Sequence, residues 1–130
     1  MRILQLTSHL NVGGITRYAL SLSKRLAQRN HHVIVASGSG QMLDQVQAIG
    51  LVHWRVPLRT SAEFSPQVFL GIHMLLRLLR QEPVDIIHAH TRVAQIVADR
   101  ISKRLNIPYV TTWHGIYKRR FGRRLWPCTG

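Results

Sequence analysis

The sequence predicts an α/β domain: a doubly wound, all-parallel sheet of five strands in the order 3-2-1-4-5, with helices on both faces. Three features predict it. Short apolar segments alternate with amphipathic ones along the chain, as repeated strand–helix units do. Each strand segment is near-continuously apolar rather than alternating, as parallel strands covered on both faces are. A glycine turn joins the first strand to the first helix, and right-handed crossovers then leave the doubly wound order.

Residues 2–7 read as a buried first strand. Residues 8–17 follow as the turn around which the chain is organised, with Gly13-Gly14 opening a helix. That helix sets Ile15, Tyr18, Ala19, Leu22 and Leu26 on one face and stops at Asn30. Residues 32–36 form a β-branched second strand; Ser37-Gly38-Ser39-Gly40 turns into a short helix over 41–49, ended by Gly50. Residues 51–56 form a third strand, less apolar and so at the sheet edge. A loop over 58–64 precedes Ser65-Pro66, a capping residue and a proline at the first helical position. The longest helix follows, with Val68, Phe69, Ile72, Leu75, Leu76 and Leu79 as its core stripe and Glu82-Pro83 as its stop. Residues 84–88 are the fourth strand and 91–105 a helix with Ala94, Val97, Ile101 and Leu105 inward. Asn106 suits a left-handed cap before Pro108, and 109–113 are the fifth strand. Residues 1–115 thus read as one domain, and 116–130 as a basic, aromatic segment carrying Lys118, Arg119, Arg120, Arg123 and Arg124.

At 130 residues and 45% hydrophobic composition, the chain has the material for a single domain with a real core. Its formal net charge is +13, with only Asp44, Glu63, Glu82, Asp85 and Asp99 acidic. That balance favours anionic partners: phosphate groups, an acidic membrane face or nucleic acid. Cys128 is the only cysteine, so no internal disulfide forms and a reducing compartment is expected. Polar Gln5, Ser8 and His9 interrupt any signal-peptide core, and no apolar run reaches the ~20 residues of a membrane span. The expectation is a cytoplasmic protein, with peripheral contact at the inner face of an anionic membrane.

In an open parallel sheet, ligands bind beyond the carboxyl ends of the strands where the order reverses, here between the first and fourth strands. Three polar turns should meet there: 8–14, His88-Ala89-His90-Thr91, and His114-Gly115. Backbone N–H groups at a helix start are unpaired and lie at the positive end of the macrodipole. Gly13 and Gly14 can take positive φ and admit a ligand close to the backbone; alternatively they only turn the chain. Arg17 either faces phosphate or solvates the surface. His88 is a crevice histidine or a satisfied strand-end residue; His90 lines the crevice, caps the next helix or faces solvent. His114, beside Gly115, is the most suggestive of the three. No metal site is expected at His88 and His90.

Several chemistries drop out. The G-x-G-x-x-G dinucleotide pattern and the G-x-x-x-x-G-K-[ST] loop are missing. No acid falls at a strand carboxyl end to make a hydrolytic carboxylate pair, Glu63 being the one candidate near that rim.

The stretch Asn11 to Arg17 after a strand, Asp85-Ile86-Ile87-His88-Ala89-His90, and Pro108-Tyr109-Val110-Thr111-Thr112-Trp113-His114-Gly115 together resemble the N-terminal domain of family-4 glycosyltransferases. The resemblance spans nearly the whole chain and rests on three motifs in order. It implies a GT-B architecture: two Rossmann-like domains across a cleft, transferring a sugar from a nucleotide-sugar donor with retention of configuration. The nucleotide-sugar is a substrate and no cofactor is implied. Carried onto this sequence, Gly13, Gly14 and Arg17 would meet the donor diphosphate, and His114 would contact the transferred sugar near the reacting centre. His9, Asn11, His88, His90 and Gly115 would line the acceptor crevice. The acceptor would be a glycan or a lipid-linked glycan of cell-envelope polysaccharide or lipopolysaccharide synthesis. The family's second, donor-gripping domain has no counterpart here, so the chain reads as a fragment expected to be inactive alone. Two other readings remain: a non-catalytic basic domain that binds nucleic acid or anionic surfaces, and half of a sugar-nucleotide epimerase. The first is disfavoured because its basic, aromatic signal is one short stretch, and no nucleic-acid partner is expected.

Overall fold

The computed structural model describes residues 1–58 and 65–112. In chain order they form β1 (Arg2–Leu6), α1 (Gly14–Gln28), β2 (His32–Ser37), α2 (Leu43–Ile49), β3 (Val52–Arg55), α3 (Pro66–Gln81), β4 (Ile86–Ala89), α4 (Arg92–Leu105) and β5 (Tyr109–Thr111). The five strands are all parallel in the order β3-β2-β1-β4-β5, as the alternation of segments requires. Residues 59–64 and 113–130, which include Glu63, His114, Gly115 and the basic segment, lie outside the described residues.

The two faces of the sheet differ in chemistry. Leu4 and Leu6 of β1, Ile34 and Ala36 of β2 and Ile87 of β4 pack with Val68, Leu75 and Leu79 of α3 and Val97 and Ile101 of α4. This is the main core, and its residues are all apolar. The opposite side holds a small cluster of Leu10, Leu20, Val35, Met42 and Val46 beside α1 and α2. In the same layer lie Gln5 and His90, each 1% exposed. Strand alternation sorts these sets, since Leu4 and Leu6 point one way and Gln5 the other.

The termini of the helices follow local chemistry. Ser65 accepts from the Val68 N–H with proline at the next position, and Thr91 accepts from the Ala94 N–H. Asn106 sits at φ 57°, the left-handed cap its type favours. α1 and α2 differ: among the described residues their N-caps, Gly13 and Met42, make no side-chain cap bond.

Two helix faces are rotated from the expected stripes. On α1 the buried residues are Thr16, Ala19, Leu20 and Ser23, while Tyr18 is exposed. Small residues let the helix approach the sheet, and Ser23 satisfies its hydroxyl on the Ala19 carbonyl at 2.7 Å. On α3, Gly71 is buried and Phe69 is exposed. A Cβ at Gly71 would stand 2.6 Å from Leu58 Cδ2, so the missing side chain leaves room for Leu58 against this side of α3. Strand ends also shift: β4 runs over Ile86–Ala89 rather than from residue 84, and α2 starts at Leu43 rather than 41.

Candidate functional site

The turn between β1 and α1 is held by the turn after β2. Thr7 N–H donates to the Ala36 carbonyl, Gly38 N–H to Ser8, and Met42 N–H to Leu10. Val12 N–H adds a bond to Gln41 Oε1 at 3.2 Å. The leucine side chain at position 10 is fully buried, so the turn is anchored from below as well. Gly40 makes this closeness possible: a Cβ there would lie 2.2 Å from the Leu10 carbonyl carbon and 2.5 Å from the Asn11 nitrogen. The sequence marked Gly40 only as part of a turn.

Gly13 and Gly14 carry no such constraint. A Cβ at either meets nothing within 4 Å. Neither adopts a left-handed φ; Gly13 is extended at φ 166° and ψ 171°, a conformation open to any residue. The left-handed φ that glycine would permit at this corner is not used. Neither backbone conformation nor packing within the described residues calls for glycine here, and the space beside the uncapped start of α1 is open. Arg17, one turn on, is exposed and lines a groove between α1 and α2 with Lys24 and Met42.

The histidines separate by depth. His9 is half-buried and accepts from the Asn11 N–H through Nδ1 at 3.1 Å. Neutral His9 then holds its proton on Nε2, which leaves that nitrogen as a donor on the rim. Asn11 lines a small cleft with Ser39, Gly40 and Gln41 on the β2 side. On the other side, at the end of β4, His90 is buried, so it neither faces solvent nor caps α4, a task taken by Thr91. Its Nε2 bonds Gln5 Oε1, its ring centroid lies 4.1 Å from that of His88 with the planes tilted by 38°, and the Tyr18 ring meets it edge-on at 5.8 Å. Half-buried His88 in turn bonds Thr112 just after β5. A hydroxyl pair, Ser8 Oγ and Thr91 Oγ1 at 2.7 Å, ties the β1 turn to the start of α4.

A continuous polar layer thus runs beneath α1 from Gln5 through His90 and His88 to Thr112. Sequence reasoning missed Gln5, Tyr18 and Thr112 as members. The signal for Gln5 was present, since an amide inside an otherwise apolar strand must find a buried partner. His114 and Gly115 follow β5 in sequence and lie outside the described residues. Among the described residues, no three His, Cys, Asp or Glu side chains are grouped to hold a metal ion, and no helix is long and apolar enough to cross a membrane.

On the β3 edge, His53 Nε2 lies 2.8 Å from Ser37 Oγ. The serine donates to the Gly38 carbonyl, so it accepts from the imidazole. Burial, and then the neighbouring Arg55 charge, push the His53 pKa below its ordinary value.

Solved structures share this architecture. A glycosyltransferase from Rickettsia africae superimposes with a TM-score of 0.72 at 21% identity, over 92% of this chain and 31% of that one. MurG from Acinetobacter baumannii gives 0.67 at 16%, over 85% and 34%. SsfS6 from Streptomyces sp. SF2575, solved with thymidine diphosphate, gives 0.62 at 19%, over 85% and 38%. This chain therefore spans about a third of the length of those transferases. The C-terminal domain of PF1911 hydrogenase from Pyrococcus furiosus matches comparably, at 0.64 and 16% over 85% of this chain and 90% of that one. At such identities the likeness shows the fold alone. No curated protein matches the chain in sequence. The family model described as Glycosyltransferase Family 4, however, matches residues 12–129, and the chain belongs to that family.

Proposed function

We propose that this domain is the acceptor-side half of a retaining glycosyltransferase. It would work at the cytoplasmic side of the cell envelope, with a nucleotide-sugar donor and a glycan or lipid-linked acceptor of polysaccharide or lipopolysaccharide synthesis. The observation that carries the reading is the Gly13-Gly14 corner. Among the described residues, it has glycines that neither a left-handed φ nor packing demands, nothing within 4 Å of where their side chains would stand, and a helix start without a side-chain cap. The amides of that helix start and the positive end of α1 suit a diphosphate, and Arg17 lies one turn away. Negative charge grows on the diphosphate as the sugar leaves, so donors fixed in advance lower the barrier. The acceptor would lie over the His88 side of the rim, with the His9 Nε2–H as a further donor and His114 nearest the transferred sugar. The buried Gln5–His90 pair would hold His88 in place.

The test is a titration of the isotope-labelled chain with inorganic pyrophosphate and with thymidine diphosphate, read at the backbone amides. Shifts concentrated at residues 13–17, abolished by Gly14→Val, are expected. Shifts confined to exposed lysines and arginines elsewhere, or no saturable shift at residues 13–17, would overturn the assignment of this corner.

A further inference from the structure

His53 stands on an edge strand, yet its ring is tied into the rim. It is in register with Val35, so its side chain shares the α2 side of the sheet with the cluster around Leu10 and Val46. Its Nε2 donates at 2.8 Å to the hydroxyl of Ser37, a residue with no exposure, and that hydroxyl gives its single proton to the Gly38 carbonyl at 2.7 Å. The Gly38 N–H in turn donates to the Ser8 carbonyl at 2.9 Å. Two residues on, Gly40 abuts the Leu10 main chain, and the Met42 N–H holds the Leu10 carbonyl at 2.8 Å. The turn after β2 is thus a bracket. His53 fixes one end of it to the edge strand, and the other end carries the turn that leads into Gly13-Gly14.

Few charges bear on the His53 ring. Arg55, two residues on along β3, opposes a second positive charge there. β2 has one titratable side chain, His32 at its opposite end, and α2 has one, the exposed Asp44. Among the described residues no carboxylate acts on the ring, so an imidazolium would be half-buried beside a guanidinium without a counterion.

We infer that His53 is an acid-sensitive latch on the Gly13-Gly14 corner: neutral, it holds Ser37, Gly38 and the β1 turn in place, and protonated, it lets them go, so that acid weakens diphosphate binding there. The neutral ring keeps its proton on Nε2, where Ser37 needs it. A second proton, taken from solvent, goes to Nδ1. Water lies beyond the sheet edge, and rotation of the side chain carries both N–H groups into it. Ser37 then loses its donor, its hydroxyl turns, and the Gly38 peptide that grips Ser8 is freed. His53 never meets the ligand; it is a positioning residue that acts through Ser37 and Gly38. The ligand part of the inference rests on the diphosphate reading of the corner, and the mechanical part does not.

The isotope-labelled full chain is titrated between about pH 7.5 and 5, a range that brackets an ordinary histidine. The Gly38 and Met42 amide signals should move with the midpoint of the His53 ring. They should lose that component in His53→Gln, whose side-chain amide donates to Ser37 without titrating. His9 adds its own midpoint to both proteins. A lost hydrogen bond is worth about fivefold in affinity, so near neutrality His53→Leu binds pyrophosphate about fivefold more weakly than the parent, and His53→Gln binds like the parent. On acidification the parent weakens about fivefold relative to His53→Gln, a ratio in which protonation of pyrophosphate itself cancels. Gly38 and Met42 amides that stay still through the His53 midpoint, or that titrate equally in His53→Gln, would overturn the inference. So would equal pyrophosphate affinity in the parent and a folded His53→Leu. The comparison of the parent with His53→Gln needs no leucine variant and no ligand. If pyrophosphate fails to bind at residues 13–17 of the parent, the reading of the corner falls, and the ligand-free titration still decides the latch.

Discussion

Replacing Gly40 by alanine tests the arrangement on which the whole rim depends. The added carbon would sit 2.2 Å from the Leu10 carbonyl carbon and 2.5 Å from the Asn11 nitrogen, both main-chain atoms. Ordinary contact between carbons is about 3.5 Å, so the turn must retreat by roughly 1 Å. Retreat is resisted: the same turn is bonded through Leu10 to Met42 at 2.8 Å and through Ser8 to Gly38 at 2.9 Å, and the buried side chain of Leu10 anchors it. Overpacking against a yielding side chain costs about 1–3 kcal/mol, and against main chain the upper end applies. A loss of about 3 kcal/mol corresponds to on the order of 10 °C in Tm for a domain of this size. Urea unfolding followed by circular dichroism gives the free energy, and Gly13→Ala and Gly14→Ala are the controls. Both controls add a carbon into open space and should change stability by about 0.5 kcal/mol or less. The Gly40→Ala protein should also lose the pyrophosphate response at residues 13–17, because the turn that carries them has moved. A Gly40→Ala stability within about 0.5 kcal/mol of the parent would show that this close approach does not exist and would refute the reasoning.

Other outcomes follow from single contacts. Thr91→Ala removes both the cap of α4 and the link to Ser8, and should cost about 1–2 kcal/mol in urea unfolding, while Thr91→Ser keeps both bonds and most of the stability. Equal losses in the two variants would contradict the capping role. For His53 the folded pKa lies below its ordinary value of 6.5, so the unfolded chain binds the extra proton first. Its contribution is fully present above pH 6.5 and is lost as the pH falls from there through the lowered folded value. His53→Gln should flatten that part of the stability–pH curve, and an unchanged curve would refute the assignment. Leu75→Ala, at a fully buried position between α3 and the sheet, should cost about 2–5 kcal/mol, as measured by urea unfolding. A cost below about 1 kcal/mol would place the main core elsewhere.

The strand order was legible because alternation of segment types and the handedness of crossovers leave few topologies, and nothing in this chain competes with them. Helix orientation was less so. A stripe drawn through large apolar residues placed Tyr18 and Phe69 inward, but contact depth at those helices is set by Thr16, Ser23 and Gly71, whose small size is the point. The diglycine turn was visible as a motif; its support was not, because Gly40 acts through a spatial neighbour thirty positions away. The same holds for the polar layer. Gln5 announces in sequence that it needs a partner, yet its partner His90 lies 85 positions on. Thr112 and His88 are likewise joined only by the pairing of β4 with β5.

The placing of the first strand at the middle of the sheet has a consequence for synthesis on the ribosome. β1 finds β2 at once, but its other neighbour, β4, arrives only after α3 has been made. Until then Leu4, Leu6, Ile34 and Ala36 present a bare greasy surface that the last two helices will later roof over. At translation speeds of roughly 5–20 residues per second, the stretch from the end of β2 to the end of α4 takes several seconds to emerge. During that interval the nascent half-sheet is a natural client for holding chaperones, and slowing translation over α3 would prolong its exposure to wrong partners.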